Sequence, residues 1–111
     1  MKRGDIISVA APGNYTGKPR PAVVVQNDFL NDIATGSVIL CPLTTYESGA
    51  ETFRIPVEPS AENGLHHPSQ IMVEKVVTVP RSKVGKTIGH LDDETMIRLS
   101  RTLAFVIGLG Q

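Results

Sequence analysis

The chain has 111 residues, with eleven Lys and Arg balanced by eleven Asp and Glu, so its formal net charge is zero. That length fits a single domain over 1–111 able to bury a core without staples, and 41% hydrophobic with 20% charged residues excludes a disordered chain. Aromatic residues at 5%, with no Trp, exclude a stacking platform for a run of bases, and a lone Cys41 excludes a disulfide framework or a Cys-rich zinc site.

In chain order, Ile6-Ile7-Ser8-Val9 reads as a first strand. Pro12 to Pro19 is a loop punctuated by Gly and Pro. Ala22-Val23-Val24-Val25 is a β-branched run too short for a helix, the pattern of a strand buried on both faces. A polar connection from Asn27 to Gly36 has room for a helical turn around Asp28 to Asp32, and Val38 to Cys41 forms a third strand, ended by Pro42. Phe53 to Val57 alternates, and Pro56 sends that strand to a sheet edge. After a loop from Glu58 to Pro68, Ile71 to Val79 reads as one long or bent strand around Glu74-Lys75. The period then changes. Met96, Leu99, Leu103, Val106 and Ile107 are spaced for an amphipathic helix, with Asp92 as N-cap, an acidic first turn, and Gly108 and Gly110 at its end. Five or six strands and one terminal helix predict a small curled β-sheet or barrel with the helix packed on it. The start at Met1-Lys2-Arg3 leads into no apolar leader, and no stretch approaches the ~20 apolar residues of a membrane span, so the expected location is the cytoplasm.

Several motifs are decoys. Gly13 to Lys18 is one residue short of a phosphate-binding loop and has Pro19 where a magnesium-holding hydroxyl belongs. Arg3-Gly4-Asp5 reads as a strand entrance rather than an adhesion tripeptide. His66-His67 has no further ligand at metal spacing and reads as a pair of solvated loop histidines, and Cys41 reads as core.

Three features carry chemistry. In Lys18-Pro19-Arg20-Pro21 the prolines hold Arg20 extended at the mouth of the second strand, where its donor fork suits a phosphate or, equally, a carboxylate capping the sheet. Thr44 and Thr45 follow Pro42 and offer two hydroxyls to a phosphate or to their own turn. Lys75, Arg81, Lys83 and Lys86 lie in a stretch with no acid between Glu74 and Asp92, the local patch that a neutral protein needs to hold a nucleic-acid backbone; a solvated face explains it about as well.

In order and spacing, Arg3-Gly4-Asp5-Ile6-Ile7, Lys18 to Val25, Pro42-Leu43-Thr44-Thr45 and Leu91-Asp92-Asp93-Glu94 resemble the MazF/PemK toxins, endoribonucleases of type II toxin–antitoxin systems. The resemblance implies an SH3-like barrel of the CcdB/PemK type, a homodimer, a cognate antitoxin, and cleavage of single-stranded RNA without metal or cofactor. It puts Arg20 on the family's catalytic arginine, Thr44 on the threonine that contacts the scissile phosphate with Thr45 beside it, and Glu74 on an acidic position of the late strand. Glu74 is the one carboxylate nominated as base, with an ion pair at a dimer interface as its other reading. Lys18, Thr45, Lys75, Arg81, Lys83 and Lys86 are the expected RNA contacts. The Ala11 to Pro19 loop departs from the family in length and sequence, and Met72 stands where some members carry a second catalytic arginine. A gyrase-poisoning toxin of the CcdB kind, sharing the fold but not the catalysis, is the alternative.

Overall fold

Two apolar residues side by side in a strand face opposite sides of a sheet, so runs such as Ile6-Ile7 and Val23-Val24 call for cover on both faces. The computed structural model describes residues 1–10, 18–33, 35–46 and 53–109 and supplies that cover. Strands β1 (Asp5–Val9), β2 (Arg20–Val24), β3 (Ser37–Thr45), β4 (Arg54–Val57), β5 (Ser69–Met72), β6 (Val77–Pro80) and β7 (Val84–His90) form one antiparallel sheet ordered β4-β5-β3-β2-β1-β7, with β6 also on β3. A short helix α1 (Asp28–Asp32) follows β2, and α2 (Asp93–Val106) ends the fold. The expected mainly-β architecture with a C-terminal helix is present, and β4 stands at the sheet edge as Pro56 required.

One face of the sheet holds Ile6, Val23, Cys41, Leu43, Ile55, Ile71 and Val73, closed by Leu99, Met96, Leu103 and Val106 of α2. The other holds Ile7, Val9, Ala22, Val24, Val38 and Leu40, with Val79 and Val84 packed against it. Burial of Ile6 beside Ile7, and of Val23 beside Val24, is the double-faced environment predicted for these runs. Asp92 caps α2 by accepting from the Thr95 amide at 2.7 Å. At its far end the Gly108 and Leu109 amides donate to the Phe105 and Ala104 carbonyls. Ile107 sits at that cap, 53% exposed, and so leaves the apolar stripe assigned to it. Gly110 and the loop from Ala11 to Gly17 lie outside the described residues.

Three expectations need correction. The third strand does not stop at Pro42 but runs on to Thr45. Pro42 is tolerated because it has a register partner, Ala22, on one edge only. On the other edge, between the pairs Leu40↔Val77 and Leu43↔Ile71, β3 advances three residues while its partner advances six. The extra residues, Val73–Lys75, loop out as a 3₁₀ turn, so the proposed long strand is two strands hinged at Glu74. Finally, Val84–His90 is a strand, paired with β1 through two register shifts, where the sequence offered only a basic stretch.

Candidate nucleic-acid interface

Arg20 opens β2 and Thr44 nearly closes β3. The β2–β3 register runs through Ala22↔Pro42; continued by two residues it sets Arg20 opposite Thr44, and even spacing keeps both side chains on one face. It is the face of Ala22, Val24 and Leu40, on which Arg20 and Thr44 lie beyond the buried cluster. Arg20 is exposed and Thr44 half-buried, whereas Leu43 between strand neighbours is buried inward.

Two clefts meet at these residues. The first, about 560 Å³, is walled by Arg20, Thr44, Thr45, Ser69, Lys86, Thr87 and the loop residues Gly64 to His67. The second, about 750 Å³ and more apolar, is walled by Arg20, Thr44, Pro42, Met72, Val77, Val79, Lys75 and Lys83. Arg20 and Thr44 therefore stand on the ridge shared by both, with Lys86 on one side and Lys75 and Lys83 on the other. No carboxylate lies on the described walls of either cleft. A guanidinium, ammonium groups and hydroxyls converging on a concave surface without a balancing acid form an anion-binding arrangement, suited to phosphates spaced along a strand.

The remaining expected residues fall elsewhere. Lys18 is exposed, two positions before β2. Arg81 is turned inward: its Nε donates to the Thr35 carbonyl at 2.8 Å and its terminal nitrogen to the Asn31 carbonyl at 3.2 Å, tying the turn after β6 to α1 and the connection that follows it. Glu74 lines neither cleft. Its Oε2 accepts from Arg54 Nε at 2.9 Å and from the terminal nitrogen at 2.6 Å, a charged fork within the chain. Burial pushes the Glu74 carboxyl up, but the Arg54 hydrogen bonds and charge, with the local backbone and Lys75, outweigh it and hold the group below the usual carboxylate range. A carboxylate so engaged is a weak proton acceptor. Cys41 is fully buried, and its thiol is pushed up to about 12 by burial, in keeping with core packing. Arg3 donates to the Val25 carbonyl and to Ser100 Oγ, each at 3.0 Å, joining the entrance of β1 to α2.

His66 and His67 were read as solvated loop residues; they are exposed, but on the wall of the Arg20 cleft. Their loop is built by buried Asn63, whose Oδ1 accepts from the Ser60 and Leu65 amides at 2.9 and 3.0 Å and whose Nδ2 donates to the Glu58 carbonyl at 2.8 Å. Gly64 adopts φ +69°, and a Cβ there would meet the Ile88 carbonyl oxygen at 2.5 Å. The sequence marked Glu58 to Pro68 as a loop; that the loop packs on β7 had no signal in the sequence.

A small curled sheet carrying one terminal helix and a cationic, hydroxyl-bearing ridge defines a class of small β proteins with an anion-binding arrangement on one face. The chain belongs to the PemK-like, MazF-like toxins of type II toxin–antitoxin systems, the family whose profile matches residues 2–107. It is 43% identical, over 99% of both chains, to a probable endoribonuclease MazF of Mycolicibacterium smegmatis. It is 25% identical to the endoribonuclease EndoA of Bacillus subtilis over 98% of this chain and 96% of that one. Among solved structures, a mycobacterial endoribonuclease in complex with its cognate antitoxin superposes with a TM-score of 0.81, covering 100% of this chain and 98% of that one, at 21% identity; this likeness is one of fold. The comparisons give no support to the gyrase-poisoning alternative. Among the described residues, no helix is long and apolar enough to cross a membrane.

Proposed function

We propose that this protein is the toxin of a type II toxin–antitoxin pair, a single-domain, metal-independent endoribonuclease that cuts single-stranded RNA in the cytoplasm. The observation that carries the reading is the placement of Arg20 and Thr44 on a ridge between two clefts with cationic walls and no described carboxylate. RNA laid across the ridge presents its scissile phosphate there. The 2′-hydroxyl attacks the adjacent phosphorus in line, the 5′ oxygen leaves, and the ends are a 2′,3′-cyclic phosphate and a 5′-hydroxyl.

Negative charge grows on the non-bridging oxygens during this step. Arg20 and the Thr44 hydroxyl are the donors positioned to stabilise it, and removing one preorganised donor of this kind costs about 10²–10³ in rate. Arg20, with its planar donor fork, acts first as an electrostatic group. Thr45, Lys75, Lys83 and Lys86 hold the flanking backbone, and Lys18 lies where the strand enters. Glu74 and Arg81 are given structural roles, in their ion pair and carbonyl contacts.

The same reading makes the protein a homodimer. The β4 edge and the outward side of α2, with Ile97 56% and Phe105 63% exposed, leave backbone and apolar surface to be covered. An acidic antitoxin segment with apolar anchors would inhibit by occupying the RNA clefts. The test is incubation of the protein with single-stranded RNA in EDTA, followed by end analysis. Cleavage leaving 5′-hydroxyl ends, lost in a folded Arg20→Ala variant, is expected. Intact RNA, or an Arg20→Ala variant as active as the parent, refutes the assignment.

A further inference from the structure

Cleavage by 2′-hydroxyl attack needs a proton delivered to the departing 5′ oxygen, and with Arg20 and Thr44 assigned to the charge on the non-bridging oxygens that step has no dedicated group. Glu74 is outside both clefts. We propose that the His66–His67 pair supplies the general acid in the Arg20–Thr44 cleft, one imidazolium protonating the 5′ oxygen as it leaves. This rests on the endoribonuclease reading above and adds the proton-transfer group that reading lacks.

The placement supports it in three respects. Both histidines line the same cleft as Arg20, Thr44 and Thr45, and they are the described wall residues of the side-chain type most often used as general acid. The groups facing them are cations and hydroxyls: Arg20 from β2, Lys86 from β7, Thr44 and Thr45 from β3. Glu58 and Glu62, on their own loop, line a separate hollow with Asp92 and His90, where Glu62 Oε2 lies 3.8 Å from His90 Nε2.

The loop is also held on both sides of the pair. Before it, the Leu65 amide donates to Asn63 and Gly64 packs on Ile88. After it, Ser69 Oγ donates to the His67 carbonyl at 2.9 Å, and the Tyr46 amide donates to the Pro68 carbonyl at 2.9 Å, fastening the loop beside the end of β3. A proton donor must be held within hydrogen-bond reach of its target, and a tethered loop meets that need where a free one does not.

The step balances without a co-reactant. The 2′-oxygen–phosphorus bond forms as the phosphorus–5′-oxygen bond breaks, the imidazolium proton passes to the 5′ oxygen, the 2′-hydroxyl proton leaves to solvent water, and the imidazole is reprotonated from solvent. Arg20 and Thr44 keep their role on the non-bridging oxygens.

The test uses His66→Asn, His67→Asn and the double variant, both positions being exposed so that folding is not at stake. Each is assayed on two oligoribonucleotides, one natural and one with sulfur in place of the scissile 5′ oxygen. A thiolate departs without a proton, since thiols ionise near pH ~8.5 where alcohols do not. On the natural linkage the double variant should lose about 10²–10³-fold in rate and lose the fall in activity on the alkaline side of neutrality. On the sulfur linkage it should stay within about threefold of the parent. A double variant with near-parental activity on the natural linkage overturns the proposal, and so does an equal loss on both linkages, which marks the pair as binding residues. A parent protein inert on both substrates overturns the endoribonuclease reading itself, and the acid with it.

Discussion

Replacing Glu74 by Gln separates an ion-pairing carboxylate from a catalytic one. Oε2 takes both bonds from Arg54, while Oε1 is buried without a hydrogen-bond partner, so the amide can keep its oxygen toward Arg54 and lose only the charge. The two side chains are 18% and 24% exposed, between a surface pair, worth up to about 1 kcal/mol, and a fully buried one, whose disruption costs about 3–5 kcal/mol. A hydrogen bond to a charged group contributes about 1.5–3 kcal/mol and a neutral one about 1 kcal/mol, which puts the loss near 1–2 kcal/mol. With an unfolding entropy of about 2.1 cal/mol/K per residue, that lowers Tm by roughly 4–9 °C in a chain of 111 residues. The carboxyl is depressed in the folded state, so its stabilisation is present above the unfolded value and disappears as pH falls through the folded one. The gap between parent and variant, measured by urea denaturation, should therefore be full at pH ~7 and close below pH ~4. RNA cleavage at a temperature where both are folded should stay within about threefold. A variant as stable as the parent but a hundredfold slower would show that Glu74 moves a proton and that its pairing with Arg54 is incidental.

Thr44→Val removes one neutral donor on the ridge and should slow cleavage by roughly five- to tenfold, the equivalent of about 1 kcal/mol, without changing the denaturation midpoint. Leu99→Ala empties a fully buried position between α2 and the sheet and should cost about 3–5 kcal/mol in urea unfolding; a loss under about 1 kcal/mol would mean that α2 is not docked as described. Gly64→Ala strains a φ of +69° and drives a methyl into the Ile88 carbonyl, so it should lower Tm and displace the His66–His67 loop, reducing cleavage as well. Cys41, with its thiol raised to about 12, should resist alkylation at pH ~8 in the native protein and react readily in denaturant.

What the sequence determined by itself is what short-range physics controls. Asp92 and the three-and-four spacing of Met96, Leu99 and Leu103 defined α2, because capping and periodicity act within a turn. Ile6-Ile7 and Ala22 to Val25 declared strands with two covered faces, and the prolines around Arg20 placed it extended at a strand mouth. Pairing across distance was decided by the tertiary structure. β7, with Gly85, Lys86 and Gly89, has too weak an apolar pattern to announce a strand and becomes one because β1 offers it an edge. The partners of Glu74 and Arg81 lie 20 to 50 residues away, so no local rule reveals that one carboxylate is occupied and one cation is turned inward. His66 and His67 look like solvated loop residues for the same reason: only the packing of Asn63-Gly64 on β7 brings their loop to the wall facing Arg20. Propensity and pattern fix which residues extend or coil, whereas the site is a meeting of chain segments, set by which edges and faces the whole fold leaves to be filled.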